Sequence, residues 1–487
     1  MKKQALEILR RIPKVDYADV RVVEKESEYI ATKDGVVEAL ESSKSLGFGV
    51  RVLTNGSWGF AGSNNFSKIG IEKTARKAVL IAQTSSKYKS CDVRLTPLKA
   101  VKADYKTPVK EDPFKVPMES KINLLIAADN AQRVSDKIVI SQTSFSANKE
   151  TKTFVSSIGS EIVQEILWTG AGIEASASDG SDFQNRSYPN SHGGQFATRG
   201  FELVREMDLI GNAPRIAGEA VSLLTAPICP TAEFDLILDS NQLALQIHES
   251  CGHATELDRV LGYEASYAGT SFLTPEKLGK FKYGSKIVNL TADATISGGL
   301  GTFGYDDEGV PAQKVYLVKD GIFVDYQTSR ETVEELKKIV PKYKAGSNGT
   351  MRAVGWGYIP LIRMTNVNLE PGAWKMQDLI SDTKRGILMS TNKSWSIDDK
   401  RLNFQFGTEI AWEIKNGKKA RIFKNPTYQG MTPKFWGSCD AICGRDEWVV
   451  WGTPNCGKGQ PSQVMYTGHG ASPARFRKVK VGVVKKW

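Results

Sequence analysis

The sequence predicts a mixed α+β protein of several domains, with helices and strands interleaved in its N-terminal half and a strand-rich C-terminal half. The chain has 487 residues, whereas a single hydrophobic core stops growing at roughly 250–300 residues. Period-two alternation and helical spacing both occur before Pro230, and short runs separated by Gly and Pro turns dominate after Lys286.

The N-terminal segment predicts a hairpin followed by a helix. Apolar and polar residues alternate from Ala18 to Leu53 around the pair Asp34-Gly35, which is a strong hairpin signal. The stretch "SKIGIEKTARKAVLIAQTS" then has the apolar spacing of a helix. We assign residues 1–92 to an N-terminal α+β domain, and the polar stretch "KADYKTPVKEDPF" to a linker.

The middle segment, residues 110–225, predicts a second α+β domain. A helix is expected from Met118 to about Arg133, and strands follow in "KIVISQTSFSANKETKTFVSS" and "EIVQEILWTGAGIEASAS". The polar, Gly-rich residues 180–200 are expected to form a loop. The stretch "APRIAGEAVSLLTA" predicts another helix.

Residues 228–487 are assigned to a strand-rich C-terminal domain. The apolar run "EFDLILD" predicts a strand, and Asp239 and Ser240 are candidate caps of a helix that follows it. From Lys286 onward we expect mostly strands. The last residues, "ARFRKVKVGVVKKW", are typical of an edge strand with a charged face, in which Lys485 and Lys486 discourage edge-to-edge pairing.

Composition argues against some classes of function. The net charge of +11 suggests nucleic-acid binding, but a basic surface, or a cleft that attracts acidic peptides, explains it without nucleic acid. No apolar run reaches the ~18 residues of a membrane span, and "MKKQALEILRRIPK" is too interrupted by charge for a signal peptide. Six cysteines are too few for a disulfide scaffold. We expect a cytoplasmic protein without membrane contact.

The stretch "IHESCGHATELD" contains two of the four histidines. His248 and His253 lie five residues apart, one more than in the zinc-protease signature HExxH. Five residues of regular helix turn through about 140° and rise about 7.5 Å, so both rings could not reach one zinc ion at about 2.0–2.1 Å. A π-bulge, or unwinding at Gly252, would reunite them. Two unrelated histidines on a buried helix are the alternative.

Several ordered motifs resemble the TldD/PmbA family of metalloproteases. "HESCGH", followed by Glu256 and Asp258, is similar to the HExxxH motif of that family. The other matching stretches, in chain order, are "GFGVRVLTNGSWGFA", "DDEGVPAQKVYLVKDGIF", "RMTN", "EPG" and "CGKGQ". Together they extend over nearly the whole chain.

The resemblance implies a zinc peptidase of the TldD type. It implies zinc ligands at His248, His253 and Cys456, with Glu249 as the base that activates a water molecule. It also implies a dimer that encloses the sites, either with a second copy or with a TldE/PmbA-type paralogue, and unfolded or extended peptides as substrates. The TldE/PmbA type lacks the metal motif, so a non-catalytic partner subunit, or a peptide-binding module of the same family, is the alternative. A nucleic-acid regulator, suggested by charge alone, is a third hypothesis.

Other residues in the sequence have more than one interpretation. Cys251 is a candidate nucleophile beside the histidines, although a small buried residue is the simpler reading. Cys439 and Cys443 are expected to pack in a core rather than to bind a second metal, and their four-residue spacing suggests one shared helix face. Asp306, Asp307 and Glu308, here called the acidic trio, are candidates to orient a zinc-binding histidine or hold a substrate amine, or they form a solvated turn. His469 is either an assistant to the transition state or a loop residue without a role.

Overall fold

The computed structural model describes residues 1–482, and the N-terminal half contains a large sheet that is antiparallel except for one strand. Its strand order is β3-β2-β1-β5-β6-β4, with β7 and β8 also paired to β6. These strands are β1 (Tyr17–Lys33), β2 (Val36–Thr54), β3 (Ser57–Ser63), β4 (Lys102–Lys106), β5 (Ile138–Ser156), β6 (Glu161–Ser178), β7 (Phe183–Tyr188) and β8 (Gln195–Ala197). Because β1 pairs with both β2 and β5, one sheet joins the first two segments of the chain. The mixed α+β class is confirmed.

The predicted hairpin forms between β1 and β2. Asp34 and Gly35 both have positive φ, 52° and 80°, as a two-residue turn of this kind requires. The helices of this half are α1 (Lys2–Arg10), α2 (Lys68–Ser85), α3 (Met118–Ala131), α4 (Glu202–Glu206) and α5 (Leu209–Thr225). The predicted helices correspond to α2, α3 and α5.

Two expectations for this half are wrong. The predicted linker contains β4, which pairs in parallel with β6. The predicted loop 180–200 contains β7 and β8, which extend the sheet beyond β6. Polar residues are tolerated in β7 because they have buried partners: Arg186 lies 2.6 Å from the carboxylate of Glu409, across the boundary to the C-terminal half.

The C-terminal half is built around a closed arrangement of strands. Pairings run β16–β9–β23–β19–β17 and return to β16. The strands of this half are β9 (Ala232–Leu238), β10 (Leu290–Asp293), β11 (Lys314–Lys319), β12 (Ile322–Phe323), β13 (Met351–Arg352), β14 (Leu361–Ile362), β15 (Val367–Leu369), β16 (Arg385–Ile397), β17 (Asn403–Lys415), β18 (Lys418–Phe423), β19 (Thr427–Met431), β20 (Cys439–Ile442), β21 (Val449–Lys458), β22 (Gln463–Ala471) and β23 (Ala474–Val481).

The last strand is not an edge strand. β23 pairs with β9, β19 and β20, and its basic residues have acidic partners on neighbouring elements. Arg475 contacts Asp440 and Asp382, and Arg477 contacts Asp235. The expected role of Lys485 and Lys486 lies outside the described residues.

Short helices interrupt the strands of the C-terminal half. They are α6 (Ser240–Ile247), α7 (Leu257–Val260), α8 (Ala265–Ala268), α9 (Arg330–Ile339), α10 (Met376–Asp382) and α11 (Thr432–Gly437). The pattern after Lys286 predicts mostly strands and does not indicate helix α9. None of the helices in the described part of the chain combines the length and apolar character that a membrane crossing requires.

The acidic trio is buried, so the expectation of a solvated turn is wrong. Asp307 lies 2.6 Å from the ammonium of Lys152 and 3.3 Å from the guanidinium of Arg21. Glu308 lies 3.5 Å from Arg51. These cations come from β1, β2 and β5, so the trio joins the N-terminal sheet to the C-terminal half.

Candidate metal centre

The histidine segment is a helix that changes its winding. Asp239 caps α6 by accepting a hydrogen bond from the backbone N–H of Ser240 at 2.7 Å. Residues His248–Gly252 then form a π-helical turn, in which the backbone N–H of His253 donates to the carbonyl of His248, five residues earlier. The predicted irregularity is confirmed, and the extra residue is accommodated by a π-turn. The two imidazole rings end 4.8 Å apart between centroids.

Gly252 contributes through packing and not through an unusual backbone conformation. Its φ and ψ are −53° and −65°, which are helical. A Cβ at this position would lie 2.1 Å from the sulfur of Met364, closer than atoms can approach. The glycine therefore lets Met364, in the segment between β14 and β15, pack directly against the turn between the two histidines.

Cys456 reaches the histidines from the far end of the chain. It lies on β21, which pairs with β22, at a bulge in the hairpin. Donor atoms of His248, His253 and Cys456 all lie within 4.8 Å of one another, and all three residues are buried. The Cys456 sulfur is 3.7 Å from Nε2 of His253. Tetrahedral zinc with ordinary bond lengths separates nitrogen from sulfur by about 3.5 Å, so this spacing fits a shared ion.

The protonation of these groups also suits a metal. Burial alone would raise the pKa of the Cys456 thiol, but the nearby His248 and His253 hold it well below its ordinary value, and the thiolate is the form that binds metal. Burial lowers the pKa of His253 well below its ordinary value. Burial also opposes charge on His248, yet Cys456 and Glu249 raise its pKa; a metal cation would take the place of that proton.

The outward-facing nitrogens of both rings have partners. Nδ1 of His248 lies 2.7 Å from Nε2 of His469, and Nδ1 of His253 lies 2.8 Å from Oε2 of Glu256. The same Glu256 oxygen is 3.2 Å from the ammonium of Lys458. His469 is fully buried on β22, so its description as a loop residue is wrong. The carboxylate that contacts a candidate ligand histidine is Glu256. The role of orienting such a histidine, for which the sequence makes the acidic trio a candidate, therefore belongs to Glu256.

Glu249 faces a partner that the sequence did not indicate. Its Oε2 accepts a hydrogen bond from Arg401 at 2.6 Å, and the two form an ion pair. Arg401 lies in the turn between β16 and β17, with a positive φ of 61°. Arg401 is 152 residues from Glu249 in the chain, and no local signal in the sequence marks it. Lys458 lies within the motif "CGKGQ", but nothing in that motif indicates its contacts with the histidine segment.

The other cysteines lie apart from this centre. Cys251, between the histidines, is fully buried in the core, and burial raises the pKa of its thiol, which argues against a nucleophile. Cys439 lies on β20 and Cys443 follows that strand, so the suggested shared helix face is wrong; both are buried core residues. All six cysteines of the chain are unpaired.

Comparison with known proteins identifies the family. Models of three PmbA/TldA metallopeptidase domains match the chain: domain 1 over residues 18–82, the central domain over 111–226 and the C-terminal domain over 231–483. The chain belongs to the PmbA/TldA metallopeptidase family. The resemblance of the sequence motifs to TldD/PmbA metalloproteases is thus confirmed.

Relatives within the PmbA/TldA family carry the name metalloprotease. One from Methanocaldococcus jannaschii is 33% identical over 88% of this chain and 92% of its own. Another, from Methanothermobacter thermautotrophicus, is 30% identical over 96% of each chain. A protein of Saccharolobus solfataricus named zinc metalloprotease TldD homolog is 23% identical over 51% of this chain and 52% of its own.

The fold also matches solved structures of this kind. TldE from Thermococcus kodakarensis superposes with a TM-score of 0.70 over 99% of this chain and 100% of its own, at 17% identity. At this identity the likeness concerns the fold alone.

Proposed function

We propose that this protein is a zinc metallopeptidase of the TldD type, in which His248, His253 and Cys456 hold the metal and Glu249 is the catalytic base. The observation that carries the proposal is the convergence of two imidazoles and one thiol, from opposite ends of the C-terminal half, on a single buried point. Three such donors leave one tetrahedral position open, as in catalytic rather than structural zinc sites.

The donor set favours zinc over other ions. A mixture of thiolate and imidazole suits zinc, whereas magnesium, calcium and manganese prefer oxygen donors. The relative from Saccharolobus solfataricus, which bears zinc in its name, supports the same choice. When bound, zinc supplies a Lewis acid that polarises the scissile carbonyl and makes water more acidic.

Glu249 is placed to move the proton. It adjoins His248 in the chain, is 6% exposed, and its carboxylate interacts electrostatically with His248 while it accepts a hydrogen bond from Arg401. We propose that one carboxylate oxygen accepts a proton from the attacking water and passes it to the nitrogen of the leaving amine as the peptide bond breaks. Arg401 orients this carboxylate through its hydrogen bond.

The buried position of the centre favours an extended substrate. All three proposed ligands and Glu249 are at most 6% exposed, so a folded protein surface could not approach them, whereas a single peptide strand could pair along the edge of a sheet. We propose unfolded or extended peptides as substrates. The proposal includes assembly as a dimer, with a second copy or with a TldE/PmbA-type paralogue.

Two further parts of the proposal concern organisation and location. We propose three domains, 1–92, 110–225 and 228–487, with the catalytic groups in the last. A cytoplasmic location is proposed because the six unpaired cysteines suit a reducing compartment.

A non-catalytic partner subunit is the second candidate. It is favoured by the fold likeness to TldE over 99% of the chain. The two candidates differ in metal content, because a partner without metal chemistry keeps its fold without zinc.

The test is zinc content combined with peptide cleavage by the purified full-length chain. We expect about one zinc per chain, measured by mass spectrometry, and hydrolysis of an unstructured peptide. Cys456→Ser should lose most of the zinc because a hydroxyl is a weaker ligand than a thiolate. The exposed Cys91 provides the control, and Cys91→Ser should retain the metal. Full retention of zinc by Cys456→Ser would remove this residue from the ligand set, and a metal-free, well-folded wild type would favour the partner subunit.

A further inference from the structure

His469 is a buried histidine whose ring contacts the proposed metal centre without belonging to the proposed ligands. Its Nε2 lies 2.7 Å from Nδ1 of His248, and the two ring centroids are 4.8 Å apart at an interplanar angle of 74°. The side chain is 0% exposed. A hydrogen bond between two imidazoles in such a place has to be assigned a donor and an acceptor.

The contacts of His469 decide that assignment. Its other nitrogen, Nδ1, lies 3.2 Å from the backbone carbonyl of Val367. A carbonyl only accepts, so Nδ1 of His469 carries the proton. Nε2 of the neutral ring is then the acceptor, with the hydroxyl of Thr467 as a further contact at 3.1 Å. Nδ1 of His248 must therefore be the donor, which leaves Nε2 of His248 without a proton and free to bind metal.

The position of His469 is set by the hairpin that also carries Cys456. On β22, His469 pairs with Trp451 of β21, and Cys456 lies further along the same β21 strand. The neighbouring Gly470 donates its backbone N–H to the side chain of Asn368 at 2.7 Å. One hairpin, fixed to β15, thus carries both a proposed ligand and the group that meets His248.

The two proposed histidine ligands are supported differently. His253 meets the carboxylate of Glu256, which lies 3.2 Å from Lys458, an ammonium that it shares with Asp258 and Glu264. His248 meets a neutral imidazole. Because the centre already contains the Cys456 thiolate and the Glu249 carboxylate, a neutral acceptor orients His248 without adding negative charge.

We propose that His469 is a positioning residue that fixes the tautomer and orientation of His248 for metal binding through a neutral imidazole–imidazole hydrogen bond. This inference rests on the proposed function, since it assumes that His248 is a metal ligand. Residues that orient a ligating histidine in this way affect metal affinity by roughly 10–100-fold.

The experiment measures zinc affinity by competition with a chromophoric chelator, together with the imidazole ¹⁵N spectrum. The chain has four histidines, so the spectrum of the wild type contains few rings to assign. His469→Leu removes the acceptor, and we expect zinc to bind roughly 10–100-fold more weakly. His469→Gln retains a neutral acceptor and should recover most of that affinity. In the wild type, Nδ1 of His248 should carry the proton.

His192 supplies the matched control, because its hydrogen bond and ring contact are with Asn392 and Trp395, and its interaction with His248 is electrostatic. His192→Leu should leave zinc affinity unchanged. The inference is overturned if His469→Leu binds zinc as tightly as the wild type, if His469→Gln loses as much affinity as His469→Leu, or if His248 carries its proton on Nε2. A wild type that binds no zinc would instead overturn the proposed function on which this inference depends.

Discussion

The metal centre and the acidic trio are both buried clusters of ionisable groups, yet their polar atoms are satisfied in different ways. In the trio, two carboxylates face cations, since Asp307 meets Lys152 and Arg21 and Glu308 meets Arg51, while Asp306 accepts hydrogen bonds from backbone N–H groups. In the metal centre, the thiol of Cys456 and a nitrogen of each of two histidines face one another. In the trio, the protein itself supplies the charge partners. In the metal centre, the atoms that converge are donor atoms of the kind that bind metal.

This difference is what we expect between a structural cluster and the proposed metal site. Buried charges are stable when they are paired. The ion pairs of the trio therefore account for its burial, and they connect the N-terminal sheet to the C-terminal half. Imidazole nitrogens and a thiolate that point at a common position can together bind a cation placed between them. Burial and perturbed pKa values occur in both clusters, and only the identity of the facing atoms distinguishes them.

The largest effect should come from Glu249→Gln, which keeps the shape of the side chain but removes the base. We expect peptide cleavage to fall by roughly 10²–10⁴-fold while zinc content stays at the wild-type level. Peptide hydrolysis and metal analysis on the same sample test this. Glu331→Gln on α9, a like substitution away from the centre, should retain cleavage. A normal rate for Glu249→Gln would assign the base to another group.

Asp307→Asn tests the structural cluster. The substitution leaves Lys152 and Arg21 buried without their shared carboxylate, and breaking such a pair costs about 3–5 kcal/mol. We expect a lower denaturation midpoint with zinc content unchanged. For comparison, Glu206→Gln disrupts the exposed pair with Arg199 and should cost less than about 1 kcal/mol. Loss of zinc from folded Asp307→Asn would contradict the separation of the two clusters.

Glu331 is a half-buried carboxylate between the same two halves, and its hydrogen-bond donors are neutral. It accepts from the indole of Trp58 at 2.8 Å and from Tyr263 at 3.4 Å, and burial raises its pKa to about 7. The folded state therefore retains a proton that the unfolded state, with a pKa near 4.5, has lost. Stability contributed by this proton is complete below about pH 4.5 and disappears as pH rises through 7.

Glu331→Gln should consequently stabilise the protein at pH 8, by on the order of 3 kcal/mol, and change little at pH 5. Thermal denaturation at the two pH values measures the difference. Glu334→Gln provides the control on the same helix, since Glu334 is paired with Lys337 and should give no gain at pH 8. An equal effect of Glu331→Gln at both pH values would show that protonation of Glu331 is not linked to folding.

The smallest expected effect is that of Arg401→Gln, which tests whether the ion pair with Glu249 orients the base. We expect kcat to fall about tenfold with zinc content unchanged, because a misplaced catalytic group lowers the rate without affecting the ligands. Arg421→Gln, which breaks the exposed pair with Glu413, should leave kcat as it is. A rise in kcat for Arg401→Gln would instead mean that the ion pair restrains Glu249.

Much of the fold could be predicted because its signals are local. The Asp34-Gly35 turn, the helix from Lys68 and the cap at Asp239 depend on residues adjacent in the chain. The failures have a shared cause. Polar β7 resembled a loop, and basic β23 resembled an edge strand, because their partners, such as Glu409 and Asp440, are remote in sequence.

The sequence by itself determined the spacing of His248 and His253, and that spacing requires a distorted turn, because the geometry of a helix is a property of the local backbone. Its ordered motifs also indicated the family. Only the tertiary structure decided that Cys456 reaches the histidines, that His469 and Glu256 contact their outer nitrogens, and that Arg401 meets Glu249. These contacts depend on how the β21–β22 hairpin and the β16–β17 turn pack against the π-turn, and long-range packing of this kind leaves no periodic trace in the chain.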